Sequence, residues 1–398
     1  MTRNRPTRFT VAQLSLVKSW GAALSFLLLI AISTSAPSAV LVPKPPKLKA
    51  TSWIIYEAYT GTVIAELNAD EPLPPASLTK MMTAYVASEK ILDGSISYDE
   101  EVVVSKKAWK TGGSQMFIEV NKRVPVIDLL RGIIIQSAND ASVAIAEHIA
   151  GTEDSFADLM NQYAEQMGLT NTHYVNASGF DEEGQYASAR DMAILGARSV
   201  LDHPEDYKIY AEREFTYNDI SQKNRNRLLW RDSDVDGIKT GYTKDAGYCL
   251  VGSAKKNNMR LVAVVMGTPS IRARLDETQA LLTFGARFFH NHIVFSAEDD
   301  VHIKPLWFAN QETLKVGLTE DLMLNMAKGN EKLLDVKIDL PETFEAPIQE
   351  GDALGTIEVV LEGEVVAKQP LVALESVEEI GFFGRIWHRI KRFFTGLF

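Results

Sequence analysis

The chain has 398 residues, of which 46% are hydrophobic and 23% charged, values that suit about two folded domains and exclude disorder. Its formal net charge is −11; residues 1–39 and 380–398 each contribute +4, which leaves −19 on residues 40–379. So acidic a body repels phosphates and argues against nucleic-acid binding.

The first 39 residues predict a secretory signal. A basic stretch ends at Lys18, an apolar run spans 20–32, and small residues follow as Ser33-Thr34-Ser35-Ala36-Pro37-Ser38-Ala39. The apolar run is short for a membrane span, which needs about 20 residues. The alternative is an uncleaved anchor. Residues 40–50, with Pro43, Pro45 and Pro46, read as a linker.

A domain over 51–297 is expected next. Ser52–Tyr56 and Thr62–Leu67 read as a hairpin around Thr60-Gly61. A helix should run from Ser77 to Leu92, apolar at Leu78, Met81, Met82, Tyr85 and Val86 and therefore buried. Ser77 opens it, and Lys80 stands one turn on, on the same face. Val126–Gln136 predicts another helix, which Ser137-Ala138-Asn139-Asp140 interrupts before a further helix from Ala141 to Ala150. Gly247–Ala254 and Met259–Gly267 read as strands, with Lys239-Thr240-Gly241 forming or beginning a neighbour, and helical sequence returns over 273–289. The order predicts an α+β fold, an antiparallel sheet flanked by helices. Short β-type runs over 298–376 predict a small all-β domain, read as a sandwich. Residues 380–398 place Phe382, Phe383, Ile386, Trp387, Ile390, Phe393, Phe394 and Leu397 on one helical stripe, with Arg385, Arg389, Lys391 and Arg392 mainly opposite. That pattern suits an amphipathic helix lying on an anionic membrane surface; the alternative is a helix docked on the protein's own core.

Three motifs carry chemistry: Ser77-Leu78-Thr79-Lys80, Ser137-Ala138-Asn139 and Lys239-Thr240-Gly241. Serine attacks an acyl carbon only when a base takes its proton. Lys80 is placed for this but must be neutral, and both burial and a nearby cation depress a lysine pKa; Lys239 is expected to be that cation. Ser137 can relay a proton and Asn139 can orient a peptide backbone. Lys239 and Thr240 can bind a carboxylate, and Gly241 lets substrate lie against the strand. The backbone N–H groups of Ser77 and Tyr242 are the expected oxyanion donors. Each motif alone is weak. Ser15–Lys18, Ser253–Lys256 and Lys110-Thr111-Gly112 repeat parts of the pattern, but outside the order and setting of the trio. The lone Cys249, in an apolar run, reads as a buried structural thiol. The seven histidines show no ligand spacing, so no metal or cofactor is expected.

The trio, with Pro75–Thr83, Gly113-Ser114-Gln115-Met116-Phe117, Ser188-Ala189-Arg190-Asp191-Met192 and Asp236–Thr243, resembles the D-alanyl-D-alanine carboxypeptidases, which are low-molecular-mass penicillin-binding proteins. The resemblance implies a β-lactamase/transpeptidase-like domain followed by a β domain and an amphipathic membrane anchor. It also implies a serine acyl-enzyme, peptidoglycan stem peptides ending in D-Ala-D-Ala as substrate, and covalent inhibition by β-lactam antibiotics. Ser77 then matches the nucleophile, Lys80 the proton acceptor, Ser137 and Asn139 the second motif, and Lys239 the substrate-binding lysine. Arg274 matches an arginine associated with the substrate carboxylate, with Arg272 left open. Tyr242 stands where several members have histidine. The implied location is the periplasmic face of a bacterial inner membrane. The competing readings are a β-lactam hydrolase on the same fold and a non-catalytic wall-binding protein. Against the first, no Glu-x-x-Leu-Asn segment lies between Asn139 and Lys239.

Overall fold

A computed structural model describes residues 41–298 and 301–395. The expected signal segment lies outside the described residues. Strands β1 (Ser52–Glu57) and β2 (Thr62–Leu67) form the predicted hairpin. They join β3 (Val235–Thr243), β4 (Gly247–Lys256) and β5 (Met259–Thr268) in one five-stranded sheet of order β2-β1-β5-β4-β3. Every pairing in it is antiparallel. Strand β3, which carries Lys239-Thr240-Gly241, closes the order at an edge, so one side of its backbone has no strand partner among the described residues.

Helices cover both faces. The central one, α1 (Lys80–Leu92), buries every residue from Lys80 to Ser88. Burial of side chains such as Met81, Met82 and Val86 contributes about 1.5–3 kcal/mol each. The helix does not begin at Ser77: residues Ala76–Thr79 form a tighter 3-10 turn that leads into it. The expected Val126–Gln136 helix changes pitch midway, with Val126–Arg131 α-helical and Gly132–Gln136 a wider π-type turn. That turn ends at Ser137, whose φ of 65° is left-handed. Helix α2 then starts at Asn139 and runs to Ala150, so Asn139 belongs to the helix and only Ser137 and Ala138 separate the two helical segments. A left-handed residue reverses the chain within one step, which removes the need for a longer loop. Helix α3 (Ile271–Phe288) packs on the other face, its N-terminus capped by Ser270 Oγ, which accepts from the Ala273 N–H at 3.1 Å.

Phe289–Phe295 follows α3 directly as a strand paired with Leu322–Ala327, two strands missing from the sequence reading. The first is broken by His290, Asn291 and His292 and the second is a nearly continuous apolar run, so neither alternates. The other described strands after residue 300 form a six-stranded sheet, and Phe295 and Leu322 from the pair share one core with Leu314, Val316, Ile357 and Leu371 of that sheet. The all-β unit is thus a second, separate core. Lys328 Nζ joins it to the first domain by donating to the Ala286 and Arg287 carbonyls at 2.9 and 3.0 Å, where it caps the C-terminus of α3.

The last helix, α4 (Phe382–Thr395), rests on this β unit through its polar side. His388 Nδ1 accepts the Phe308 N–H at 2.9 Å, Arg385 pairs with Glu379 at 2.9 Å, and Arg392 pairs with Glu345. Phe382, Phe383, Trp387 and Phe393 are left exposed. The helix thus docks on the β unit by its cations, and its aromatic stripe faces outward. No helix among the described residues is long and apolar enough to cross a membrane.

Candidate active site

The three motifs converge. The 3-10 turn holds Ser77 half-exposed at the head of α1, while Lys80 (1% exposed), Ser137, Asn139 and Lys239 (2% exposed) are buried around it. Lys80 Nζ lies 3.3 Å from Ser77 Oγ, donates to Asn139 Oδ1 at 2.6 Å, and donates to the Ser178 carbonyl. Ala76, with φ 49°, turns the chain sharply just before Ser77.

Two glycines permit this packing. A Cβ on Gly241 would stand 3.0 Å from the Pro75 carbonyl oxygen and 3.3 Å from Ala76 Cβ. The glycine expected to make room for substrate therefore makes room first for the serine's own turn. Gly179, at φ 81°, lies where a Cβ would meet the Ala76 carbonyl oxygen at 1.9 Å, so no side chain fits.

The loop that supplies the Ser178 carbonyl is held by a buried network. Asn176 Oδ1 accepts from the Ser178 and Gly179 N–H groups at 3.2 and 2.7 Å and from Gln185 Nε2 at 3.3 Å. Gln185 also reaches Thr79 Oγ1 at 3.2 Å, and Thr83 Oγ1 on α1 donates to the Ala177 carbonyl at 2.7 Å. Sequence reasoning missed this loop, because an acceptor that is a backbone carbonyl leaves no mark on residue type.

Asp140 was also missed as a contributor, although it adjoins the second motif. Its carboxylate accepts the N–H groups of Met116, Phe117 and Ile118 at 3.0–3.3 Å and so pins residues 116–118 against α2. Asn139 also bonds protein groups: its Nδ2 donates to the Gly112 carbonyl at 2.8 Å and its Oδ1 accepts from Lys80 Nζ at 2.6 Å. An amide NH2 carries a second N–H, so these bonds leave Asn139 able to meet a substrate backbone as well.

Burial is the first cause that lowers the Lys80 pKa, to about 7, and the Arg225 charge is the second. Lys239 is also pushed well down, by burial first and then by the charges of Lys80, Arg225 and Arg274. Arg225, outside every motif, also anchors the second motif: its Nε donates to the Gln136 carbonyl at 2.8 Å, one residue before Ser137. It sits in the polar stretch 223–227, where no periodicity distinguishes it from a solvated charge.

Arg274 Nη1 donates to the Gly241 carbonyl at 2.9 Å, and its guanidinium lies 5.6 Å from the Tyr248 ring centroid. Tyr248 in turn stacks on Tyr242 at 4.3 Å. Arg272 points away, exposed, and pairs with Asp276 at 3.3 Å. Of the two arginines, only Arg274 reaches the site. The decoy motifs do not: Ser253 is buried within β4 and bonds Arg260, and Lys110 ends a surface helix. Cys249 is buried and its thiol pKa is raised to about 11, chiefly by desolvation, as expected of a structural thiol.

The architecture defines a penicillin-binding protein fold: a transpeptidase-like α+β domain, an all-β domain and a terminal helix. Family models named D-alanyl-D-alanine carboxypeptidase and penicillin-binding protein 5, C-terminal domain, match residues 39–270 and 289–379. The D-alanyl-D-alanine carboxypeptidase DacC of Escherichia coli is 42% identical over 94% of this chain and 95% of its own. Penicillin-binding protein 5 of Haemophilus influenzae superposes with a TM-score of 0.78 at 39% identity, over 85% of this chain and all of that one. A penicillin-binding protein of Listeria monocytogenes, solved with ampicillin bound, matches with a TM-score of 0.55 at 28% identity, over 60% of this chain and 99% of that one. The chain belongs to the D-alanyl-D-alanine carboxypeptidase family.

Proposed function

We propose that Ser77 is the nucleophile of a serine D,D-carboxypeptidase and that Lys80, as a neutral amine, is its base. The family makes the chain a penicillin-binding hydrolase that acts on the terminal D-alanine of peptidoglycan stems. The supporting observation is the set of partners around Lys80 Nζ. Asn139 Oδ1 and the Ser178 carbonyl can only accept hydrogen bonds, so they take the two N–H groups of a neutral amine. Ser77 Oγ, 3.3 Å away, is a hydroxyl that can donate, so in the neutral amine the remaining lone pair is left for its proton. A pKa of about 7 leaves near half of such amines neutral at neutral pH. An ordinary lysine would be neutral in on the order of one molecule in a few thousand.

In this reading Lys80 takes the Ser77 proton as Oγ attacks the carbonyl of the penultimate D-alanine. The oxyanion is met by the Ser77 and Tyr242 backbone N–H groups. Ser137, placed by the Arg225 clamp, passes the proton to the leaving nitrogen. The leaving alanine's carboxylate is held by Lys239, Thr240 and Arg274. Gly241 admits the serine turn, and Asn139 orients Lys80. Water then attacks the ester, with the same amine as base. A β-lactam follows the first half of this path and stops at the ester.

The exposed aromatic stripe of α4 supports a peripheral location on the outer face of a bacterial inner membrane, after export directed by residues 1–39. The test of the site is intact-mass analysis after benzylpenicillin, comparing wild type with Ser77→Ala. A covalent adduct on wild type alone is expected; an adduct on both would remove Ser77 from the nucleophile's role.

A further inference from the structure

Arg274 does more than border the substrate. It lies in the first turn of α3, where its N–H donates to the Ser270 carbonyl at 3.1 Å and its carbonyl accepts from Thr278 Oγ1 at 2.7 Å. Its side chain is buried and crosses toward the edge strand β3. There Nη1 donates to the Gly241 carbonyl at 2.9 Å, and the guanidinium lies 5.6 Å from the Tyr248 ring centroid. Tyr248 stacks in turn on Tyr242. One buried cation therefore touches the carbonyl end of the Gly241–Tyr242 peptide group and, through Tyr248, supports the side chain that follows it.

The Gly241 carbonyl and the Tyr242 N–H belong to the same peptide group. Their bond is trans, so the N–H points opposite to the C=O. Arg274 reaches the carbonyl from the side of β4: α3 packs on β4 and β5, and Tyr248 is a β4 residue. Holding the oxygen on that side aims the Tyr242 N–H at the open edge of β3. The turn that carries Ser77 packs against this strand, with the Pro75 carbonyl oxygen 3.0 Å from where a Gly241 Cβ would stand. Strand pairing already sets the backbone here, since Gly241 faces Cys249 of β4. What the arginine adds is charge. A hydrogen bond from a cation is about twice as strong as a neutral one. Such a bond on the carbonyl polarises the whole peptide group and makes its N–H a better donor.

We propose that Arg274 is a positioning residue for the oxyanion: through the Gly241–Tyr242 peptide group it aims and polarises the Tyr242 N–H, independently of any contact with a substrate carboxylate. The inference rests on the acyl-enzyme reading above, in which that N–H is one of two oxyanion donors. As Ser77 Oγ bonds to the acyl carbon, the carbonyl π pair moves onto oxygen, and the new charge meets an N–H whose far end already binds a cation. The pair returns as the bond to the leaving group breaks. The serine proton, passed through Lys80 and Ser137, goes to the leaving atom. Arg274 itself neither gains nor loses a proton. An effect of this kind acts on every acyl donor, whether or not its leaving group carries a carboxylate.

The test uses the purified full chain with two substrates: an N-acylated peptide ending in D-Ala-D-Ala, and the matching N-acylated D-alanine ethanethiol ester, whose leaving group has no carboxylate. The variants are Arg274→Leu, which removes charge and donor, and Arg274→Lys, which keeps both. The Tyr242 amide proton is followed by NMR with 15N-labelled tyrosine and assigned with Tyr242→Phe. Arg274→Leu is expected to lose on the order of tenfold or more in kcat/KM on both substrates, part of the roughly 10²–10³ that follows outright removal of an oxyanion donor. Its Tyr242 amide proton should move upfield. Arg274→Lys should regain rate on both substrates and move the resonance back. A smaller thioester loss in Arg274→Leu overturns the inference alone, whatever the peptide rate does, and leaves Arg274 a carboxylate binder. An unmoved Tyr242 resonance, or a lysine variant no faster than the leucine one, also overturns it. Should a circular-dichroism melt show Arg274→Leu unfolded, Arg274→Gln takes its place with the same expected and contrary results. Wild type inactive on both substrates refutes the carboxypeptidase reading and the inference with it.

Discussion

Replacing Asn139 with Asp tests the neutral-amine mechanism with almost no change of shape. The new carboxylate oxygen would stand 2.6 Å from Lys80 Nζ, where the amide oxygen now accepts. At an effective dielectric constant of about 20 the attraction is about 6 kcal/mol, equivalent to about 4–5 pKa units. The pair ionises rather than sharing a neutral state, because even the depressed lysine binds a proton more tightly than a carboxylate does. Half the Coulomb figure would move Lys80 from about 7 to about 9. The neutral fraction at pH 7 then falls about fifty-fold or more. The assay is the rate of benzylpenicillin acylation between pH 6 and 10. The variant should be slower by at least that factor at pH 7 and should recover as pH rises. Asn139→Ala also loses the Gly112 bond but adds no charge, so it should be slowed without that alkaline recovery. An Asn139→Asp rate within tenfold of wild type at pH 7 would refute the argument.

Three further outcomes follow from the same geometry. Wild-type acylation should rise about tenfold from pH 6 to 8 and then level, because a lowered lysine pKa of about 7 makes the base available above that value; a continued climb to pH 10 would contradict it. Gly241→Ala should fold yet lose on the order of ten- to a hundred-fold in kcat/KM, since its Cβ must push the Pro75 carbonyl, 3.0 Å away, and with it the serine turn; a circular-dichroism melt beside the assay separates misfolding from misplacement. Deleting residues 380–398 should release the protein from anionic vesicles in a sedimentation assay while D-alanine release from a soluble peptide is kept; persistent co-sedimentation would refute the role of α4.

The trio of motifs was readable because each lies where hydrophobic spacing defines its frame: an apolar helix behind Ser77, two apolar helices around Ser137, strands after Lys239. What escaped was the support. The Ser178 carbonyl acts through main chain, and its network of Asn176 and Gln185 lies in a stretch with no periodic signal. Arg225 resembles its solvated neighbours until folding brings it to the end of the π-type turn. Asn139 was legible as a site residue, but residue type alone cannot show that its amide also bonds Lys80 and the Gly112 carbonyl. The strand Phe289–Phe295 was hidden by the half-buried polar residues His290, Asn291 and His292, and Leu322–Ala327 by a nearly continuous apolar run; neither shows the two-residue alternation. The wide apolar stripe of α4 was legible, but the acids that dock its cations lie on distant strands and turns.

The measurement that bears most directly on the whole account is an NMR titration of the Lys80 side-chain amine in the free enzyme, assigned by comparison with a Lys80→Arg variant. The account predicts a midpoint near neutrality. A midpoint in the ordinary lysine range would mean that the amine beside Ser77 is charged and cannot take its proton.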